Sequence, residues 1–180
     1  MRRPDYYLVI DLEATCSDNE SIPRNEMEII EIGAVIVDAL SYDLVDEYQT
    51  FVKPVRHPRL TPFCVELTSI RQIEVEVAPR FPKAMQSLKS WLRAYPHALF
   101  GSWGNYDRIQ FERDCHFHRV DYPFGRHHVN LKDAFAKQNH LRRPVGMTTA
   151  LRMTNTPLRG RHHRGIDDAR NIARLLPFIM

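Results

Sequence analysis

Asp11 and Glu13 stand two residues apart at the end of an apolar run, in YYLVIDLEATC. On a strand, side chains alternate between faces, so both carboxylates point the same way. Two like charges on a buried strand repel each other and resist desolvation. Divalent cations resolve that conflict, because Mg²⁺ and Mn²⁺ prefer hard oxygen ligands. Two further carboxylate positions lie at turns or helix starts. Asp107 follows the apolar run ALFGSW, in SWGNYDRIQF, and Asp167 and Asp168 open the stretch IDDARNIARLL. An acid in the first turn of a helix is ordinarily there to meet free amides and the helix dipole. That explains one of Asp167 and Asp168, but not the pair Asp11 and Glu13. Carboxylates from separate elements can share two ions, which stabilise the attacking and leaving oxygens of phosphoryl transfer. A histidine nearby takes the proton of the attacking water, and His162 and His163 immediately precede the last acids.

The elements that must position these groups follow from periodicity. Residues 6–11, 29–37, 45–52 and 98–103 read as strands, the second and third joined in a hairpin by the turn ALSYD. Thr61 and Pro62 start a short helix. Residues 79–94 carry Phe81, Met85, Leu88, Trp91 and Leu92 at helical spacing. Residues 105–118, 131–139, 147–153 and 166–177 read as further helices. Strands first, then strands mixed with helices, argue an α/β or α+β sandwich with helices packed on a central mixed sheet.

At 180 residues, with 43% hydrophobic and 26% charged residues, the chain is an ordinary globular protein of one domain, residues 1–180. No apolar run reaches transmembrane length. Three scattered cysteines, an odd number, suggest a reducing cytoplasm. The charges are segregated. Twelve acids and one base lie between Asp5 and Glu47, whereas seven bases and no acid lie between Lys137 and Arg164. A metal site beside a phosphate-binding surface would look like that, and so would two solvated faces of opposite sign.

The motifs DLEATC, SWGNYDRIQF and HHRGIDDARNIA, in this order, resemble those of the DEDDh 3′–5′ exonucleases of the ribonuclease H-like fold. EIIEIGAVIVD, FVKPVRHPRLTPFCVELTSI and APRFPKAM are similar to the branch holding the enhanced-RNAi and histone-mRNA 3′-end exonucleases and their bacterial relatives. The resemblance implies a mixed five-stranded sheet flanked by helices. It implies that Asp11, Glu13, Asp107 and Asp168 hold two Mg²⁺ or Mn²⁺ ions. A histidine five residues before the last aspartate selects His163 and Asp168, with His163 as general base. The reaction implied is removal of nucleoside 5′-monophosphates from the 3′ end of single-stranded RNA, with DNA as the other substrate. Ala14 and Thr15 would line the terminal nucleotide, with backbone amides there for the 3′-OH. Phe63, Leu67 and Thr68 would wall the terminal base, Phe63 stacking on it or merely filling the core. Arg142, Arg143, Arg159, Arg161 and Arg164 would contact the incoming phosphates. Nucleic acid is the expected partner; no membrane and no obligate protein partner are.

Other groups read more plainly. Cys115, His116 and His118 give C-H-x-H, a spacing that lacks the separated ligand pairs of a zinc finger. His127 and His128 read as surface loop residues, Trp103 as core, and Asp114 and Asp133 as solvated or capping acids. Glu31 is either buried near the site or exposed. Two readings compete with the RNA exonuclease. One is a DNA repair or proofreading exonuclease. The other is a non-catalytic nucleic-acid adaptor, which four unpaired carboxylates beside phosphate argue against.

Overall fold

A computed structural model describes residues 4–180. Five strands, β1 (Tyr6–Ala14), β2 (Ile29–Asp38), β3 (Leu44–Phe51), β4 (Leu99–Ser102) and β5 (His128–Asn130), form one sheet in the order β3-β2-β1-β4-β5. β2 pairs antiparallel with β1 and β3, while β4 runs parallel to β1 and β5. The helices are α1 (Pro62–Thr68), α2 (Gln72–Glu76), α3 (Phe81–Leu92), α4 (Tyr106–His118), α5 (Leu131–Gln138), α6 (Met147–Met153) and α7 (Gly165–Ala173). No helix among the described residues is long and apolar enough to cross a membrane.

The alternation of β1 sorts its side chains between two layers. Leu8, Ile10 and Leu12 join Phe81, Met85, Leu88 and Phe111 of α3 and α4 on one face. Tyr7 and Val9 join Leu131, Phe135, Leu151, Ala169 and Ile172 of α5, α6 and α7 on the other. Both faces of the sheet are therefore covered, which is why β2 reads as a nearly unbroken apolar run. A third cluster, around Ile30, Leu60, Cys64, Ile70 and Val75, seats α1 and α2. Thr61 caps α1 by accepting the Cys64 amide at 3.0 Å, as its sequence signature predicts.

The expected helices and the hairpin are all present. β1 continues past Asp11 to Ala14, so Glu13 is itself a strand residue opposite Glu31. The last helix ends at Ala173, and Leu176–Phe178 is a separate 3₁₀ turn. Two elements fall outside the expectation. β5 has three residues and α2 has five, too few for a period to register. His128 consequently lies in a strand, opposite Phe100 of β4, and not in a surface loop.

Candidate active site

β1 and β4 are parallel, so their C-terminal ends lie together, where ligands of open α/β sheets sit. Asp11 and Glu13 occupy that end of β1. Asp107 stands in the first turn of α4, just beyond β4, and its Oδ1 accepts the Leu12 amide at 3.0 Å. The fourth acid arrives on α7, which crosses directly over β1 and β2. Glycine permits this approach: a Cβ at Gly33 would overlap the backbone of Gly165 and Ile166, and one at Gly165 would meet Asp11 O at 2.9 Å. Asp168, in the first turn of α7, thereby reaches Asp11 and Glu13. One ligand atom from each of the three lies within 4.8 Å of the others.

The loop before α7 is held by its acids. Asp168 Oδ2 accepts from His162 Nδ1 at 2.8 Å and from the His163 amide at 2.9 Å. Asp167 Oδ2 accepts the Arg161 amide at 2.9 Å, an amide of the loop before α7 and not of the helix start. His163 takes a left-handed backbone, with φ of 64°, and its ring stacks on that of His162 at 3.9 Å between centroids. Among the described residues no hydrogen bond engages the His163 ring. One ligand atom each from His162, His163 and Asp168 also come within 4.8 Å of one another.

The electrostatics fit a cation. Desolvation, with Asp107 and Glu13 adding to it, raises the Asp11 pKa well above the carboxylate range. Burial, then Asp168 and Glu31, pushes Glu13 from 4.5 to about 9. Burial pushes Asp107 to about 6 against the restraint of the Leu12 amide. Burial also raises Asp168, against the His163 amide and His162. Asp168 Oδ1 is buried with no hydrogen-bond partner, an arrangement that is costly unless an electrophile occupies the space beside it. Oxygen donors of this number and charge suit a divalent metal ion. For His163, burial and the neighbouring His162 lower the pKa below the usual histidine value, with Asp168 opposing.

Glu31 is fully buried beside the site. It accepts Arg164 Nε at 3.1 Å and the Gly165 amide at 3.1 Å. The sequence left it open whether Glu31 is buried or exposed, and the partner that decides its role lies 133 residues away. Arg164 is therefore tied to Glu31, with its guanidinium over the Phe51 ring at 5.3 Å; its Nε is not available to phosphate. Arg142, Arg143 and Arg161 are exposed. Trp103 packs on Phe135 and donates from Nε1 to Val145 O at 3.1 Å, joining the segment that carries Arg142 and Arg143 to the turn before Asp107.

The residues expected around a terminal nucleotide divide. Phe63 and Leu67 are half-buried on α1. Thr68 is fully buried and its hydroxyl is spent at the end of α1, donating to Cys64 O at 2.8 Å and accepting the Ile70 amide just past the helix at 3.1 Å, so it is no wall. Ala14 is buried beside the strand's bulge. Thr15 gives its amide to Glu28 O at 2.8 Å and its hydroxyl accepts the Glu28 amide at 2.9 Å. That amide cannot serve a 3′-OH. Tyr106, 44% exposed, stands next to Asp107, and burial with Asp107 and Glu13 raises its hydroxyl pKa.

Asp114 is not solvated. It is 1% exposed, accepts the Ile29 amide at 2.7 Å and faces Arg56 at 3.6 Å, fastening α4 to β2. The cap of α5 is Asn130, whose Oδ1 accepts the Asp133 amide at 3.1 Å; Asp133 is itself exposed and its Oδ2 accepts from Asn130 Nδ2 at 2.7 Å. Cys115, His116 and His118 do not gather ligands; His118 stacks on Phe81 instead.

A mixed five-stranded sheet carrying buried acids at its C-terminal edge, with histidines on the last helix's approach, is the ribonuclease H-like nuclease architecture. The sequence model of the exonuclease family RNase_T matches residues 8–176, and the chain belongs to that family. It is 30% identical over 181 residues to human "3'-5' exoribonuclease 1", covering 95% of this chain and 51% of that protein. The nuclease domain of 3'hExo, a DEDDh family member solved bound to rAMP, superposes with a TM-score of 0.89 at 28% identity, covering 96% of this chain and 90% of that one. A 3′-exonuclease solved in recognition of a histone mRNA stem-loop gives 0.89 at 27% identity, covering 96% and 62%. The chain spans about half the length of the curated relatives it matches.

Proposed function

We propose that this chain is a metal-dependent 3′–5′ exonuclease that removes nucleoside 5′-monophosphates from single-stranded RNA. One observation carries the reading: Asp11, Glu13 and Asp168 converge within 4.8 Å at the end of β1, and Asp168 Oδ1 is buried without a partner. Asp11, Glu13, Asp107 and Asp168 would hold two divalent cations, Mg²⁺ or Mn²⁺. Bound there, such ions supply Lewis-acid stabilisation to the oxygens between which phosphorus is transferred.

The protein's own groups do the rest. His163 takes the proton of the attacking water on a ring nitrogen. Its lowered pKa keeps that ring neutral at neutral pH, and the hydrogen bond its backbone N–H donates to Asp168 Oδ2 fixes its place. His162 orients Asp168 through Nδ1. Phe63 and Leu67 offer an apolar face to the terminal base, a contact indifferent to base identity. Arg142, Arg143 and Arg161 draw in the phosphates, with a steep salt dependence. The names of the relatives, exoribonucleases and an rAMP complex, favour RNA over DNA. The three free cysteines support a reducing cytoplasm as its location.

The test uses matched 5′-labelled RNA and DNA strands with Mg²⁺ or Mn²⁺, with EDTA and Asp11→Asn as controls. A ladder shortening by single nucleotides from the 3′ end, lost in both controls and faster on RNA, is the expected result. Binding without shortening on either strand would make the chain an adaptor, and a faster DNA ladder would reassign the substrate.

A further inference from the structure

We infer that His162, His163 and Asp168 form a Zn²⁺ site of their own, distinct in its donors from the carboxylate site, and that filling it stops catalysis. The site stands on geometry alone; the loss of catalysis rests on the exonuclease reading. One ligand atom from each of the three residues lies within 4.8 Å of the others. The backbone of His163 is left-handed, with φ of 64°, and its ring lies over that of His162, 3.9 Å away and 21° from parallel. His162 Nδ1 and Asp168 Oδ2 stand 2.8 Å apart. Two donors that each lie about 2.0–2.1 Å from zinc are about 2.9 Å apart at a right angle and about 3.3 Å apart at the tetrahedral angle. The pair therefore opens by only a few tenths of an ångström to take an ion. Both rings are half-buried, so an ion reaches them from solvent. Asp168 Oδ1 is buried without a partner.

Donor type sets the metal. Two imidazoles and one carboxylate suit Zn²⁺, which takes nitrogen beside oxygen and accepts a water as fourth ligand. Mg²⁺ and Mn²⁺ favour the oxygen-only set of Asp11, Glu13 and Asp168. His162 ligates through Nδ1 in the neutral tautomer that carries its proton on Nε2, so the hydrogen bond to Asp168 gives way to the ion. Asp168 belongs to both donor sets. An ion beside the histidines therefore draws a ligand away from the ions at the end of β1. The same ion occupies the His163 lone pair that takes the proton of the attacking water. Zinc and the catalytic ions thus compete for Asp168, and the zinc-loaded chain has no free general base.

The test begins with X-ray absorption at the zinc edge, on the full wild-type chain carrying one equivalent of Zn²⁺. Multiple scattering from two imidazoles is the expected spectrum. Zn²⁺ affinity is then measured by competition with a chromophoric chelator, and Mn²⁺ affinity by electron paramagnetic resonance, for wild type, His162→Ala and Asp11→Asn. His162→Ala should weaken zinc by at least about tenfold, the loss that removing even an outer partner of a ligand brings, and weaken manganese far less. Asp11→Asn should do the reverse. A His162→Ala chain that had lost its fold would lose both metals, and the wild-type spectrum decides the ligands without it. On RNA with saturating Mg²⁺, zinc should inhibit wild type, with an inhibition constant at least about tenfold higher in His162→Ala, whatever its own rate. A spectrum with oxygen donors alone or a single imidazole, zinc affinity that follows Asp11 and not His162, or an inhibition constant unmoved in His162→Ala would each overturn the inference. Wild type that binds zinc through two imidazoles but leaves RNA intact in Mg²⁺ would refute the exonuclease reading, while the zinc site stands.

Discussion

Glu13→Gln should stabilise this fold when no metal is bound. Glu13 is 7% exposed and faces Asp168 and Glu31, and its pKa rises from 4.5 to about 9. In the folded chain it keeps its proton to higher pH than in the unfolded chain. The unfolded state therefore binds fewer protons between those values, and stability falls as pH rises through that window. At about pH 7.5, roughly 3 units above the ordinary value, the penalty reaches ~4 kcal/mol at about 1.4 kcal/mol per unit. Because the neighbouring acids share the titration, the variant should recover about 2–4 kcal/mol of it. For a chain of this size that is roughly 5–12 °C in Tm. Thermal melts in EDTA should show the variant above wild type at pH 7.5, with the gap closing as pH approaches 5. Saturating Mg²⁺ should narrow or invert the order, since a ligand at 100 times its Kd adds about 2.7 kcal/mol to the form that binds it. A variant that melts at or below wild type in EDTA at pH 7.5, or a gap indifferent to pH, would refute the electrostatic reasoning.

His163→Ala should lower kcat by about 10²–10⁴, against tenfold or less for His162→Ala. Because burial and His162 lower the His163 pKa, kcat should rise with pH along a limb centred below 6.5 and level off above it, as a pH–rate profile will show. Gly33→Ala should cost ~3 kcal/mol or more through overpacking, seen as a lower Tm and a loss of metal binding, since α7 could no longer lie against β2. Reversing Arg142 and Arg143 to glutamate should weaken RNA binding and flatten the plot of log K against log salt by about 1.4, from about 0.7 per single-strand phosphate contact.

What the sequence disclosed, and what it withheld, divides by range. Asp11, Glu13 and Asp107 could be picked out because each sits at a strand end or helix start with a local signature, and α1 because Thr61 and Pro62 mark its beginning; Asp168 is told from Asp167 only by the family resemblance. The groups that pass unnoticed are long-range. Asp114 has the appearance of a solvated helix residue until Ile29, 85 positions earlier, is seen to give it an amide. Arg164 reads as a phosphate contact until Glu31 claims it. Thr15 and Thr68 carry polar atoms that only the fold shows to be spent. β5 is too short to announce itself, which hid the strand that carries His128 toward Ser102.

The chemistry at the end of β1 is tested most directly by the identity of the released product. RNA labelled at its 3′-terminal nucleotide is incubated with the protein and Mg²⁺, and the products are resolved by chromatography. Water attacking the last phosphodiester under carboxylate-held metal predicts a labelled nucleoside 5′-monophosphate, absent in EDTA and with Asp11→Asn. A 2′,3′-cyclic or 3′-phosphorylated product, labelled oligonucleotides from internal cuts, or release that persists in EDTA would contradict it.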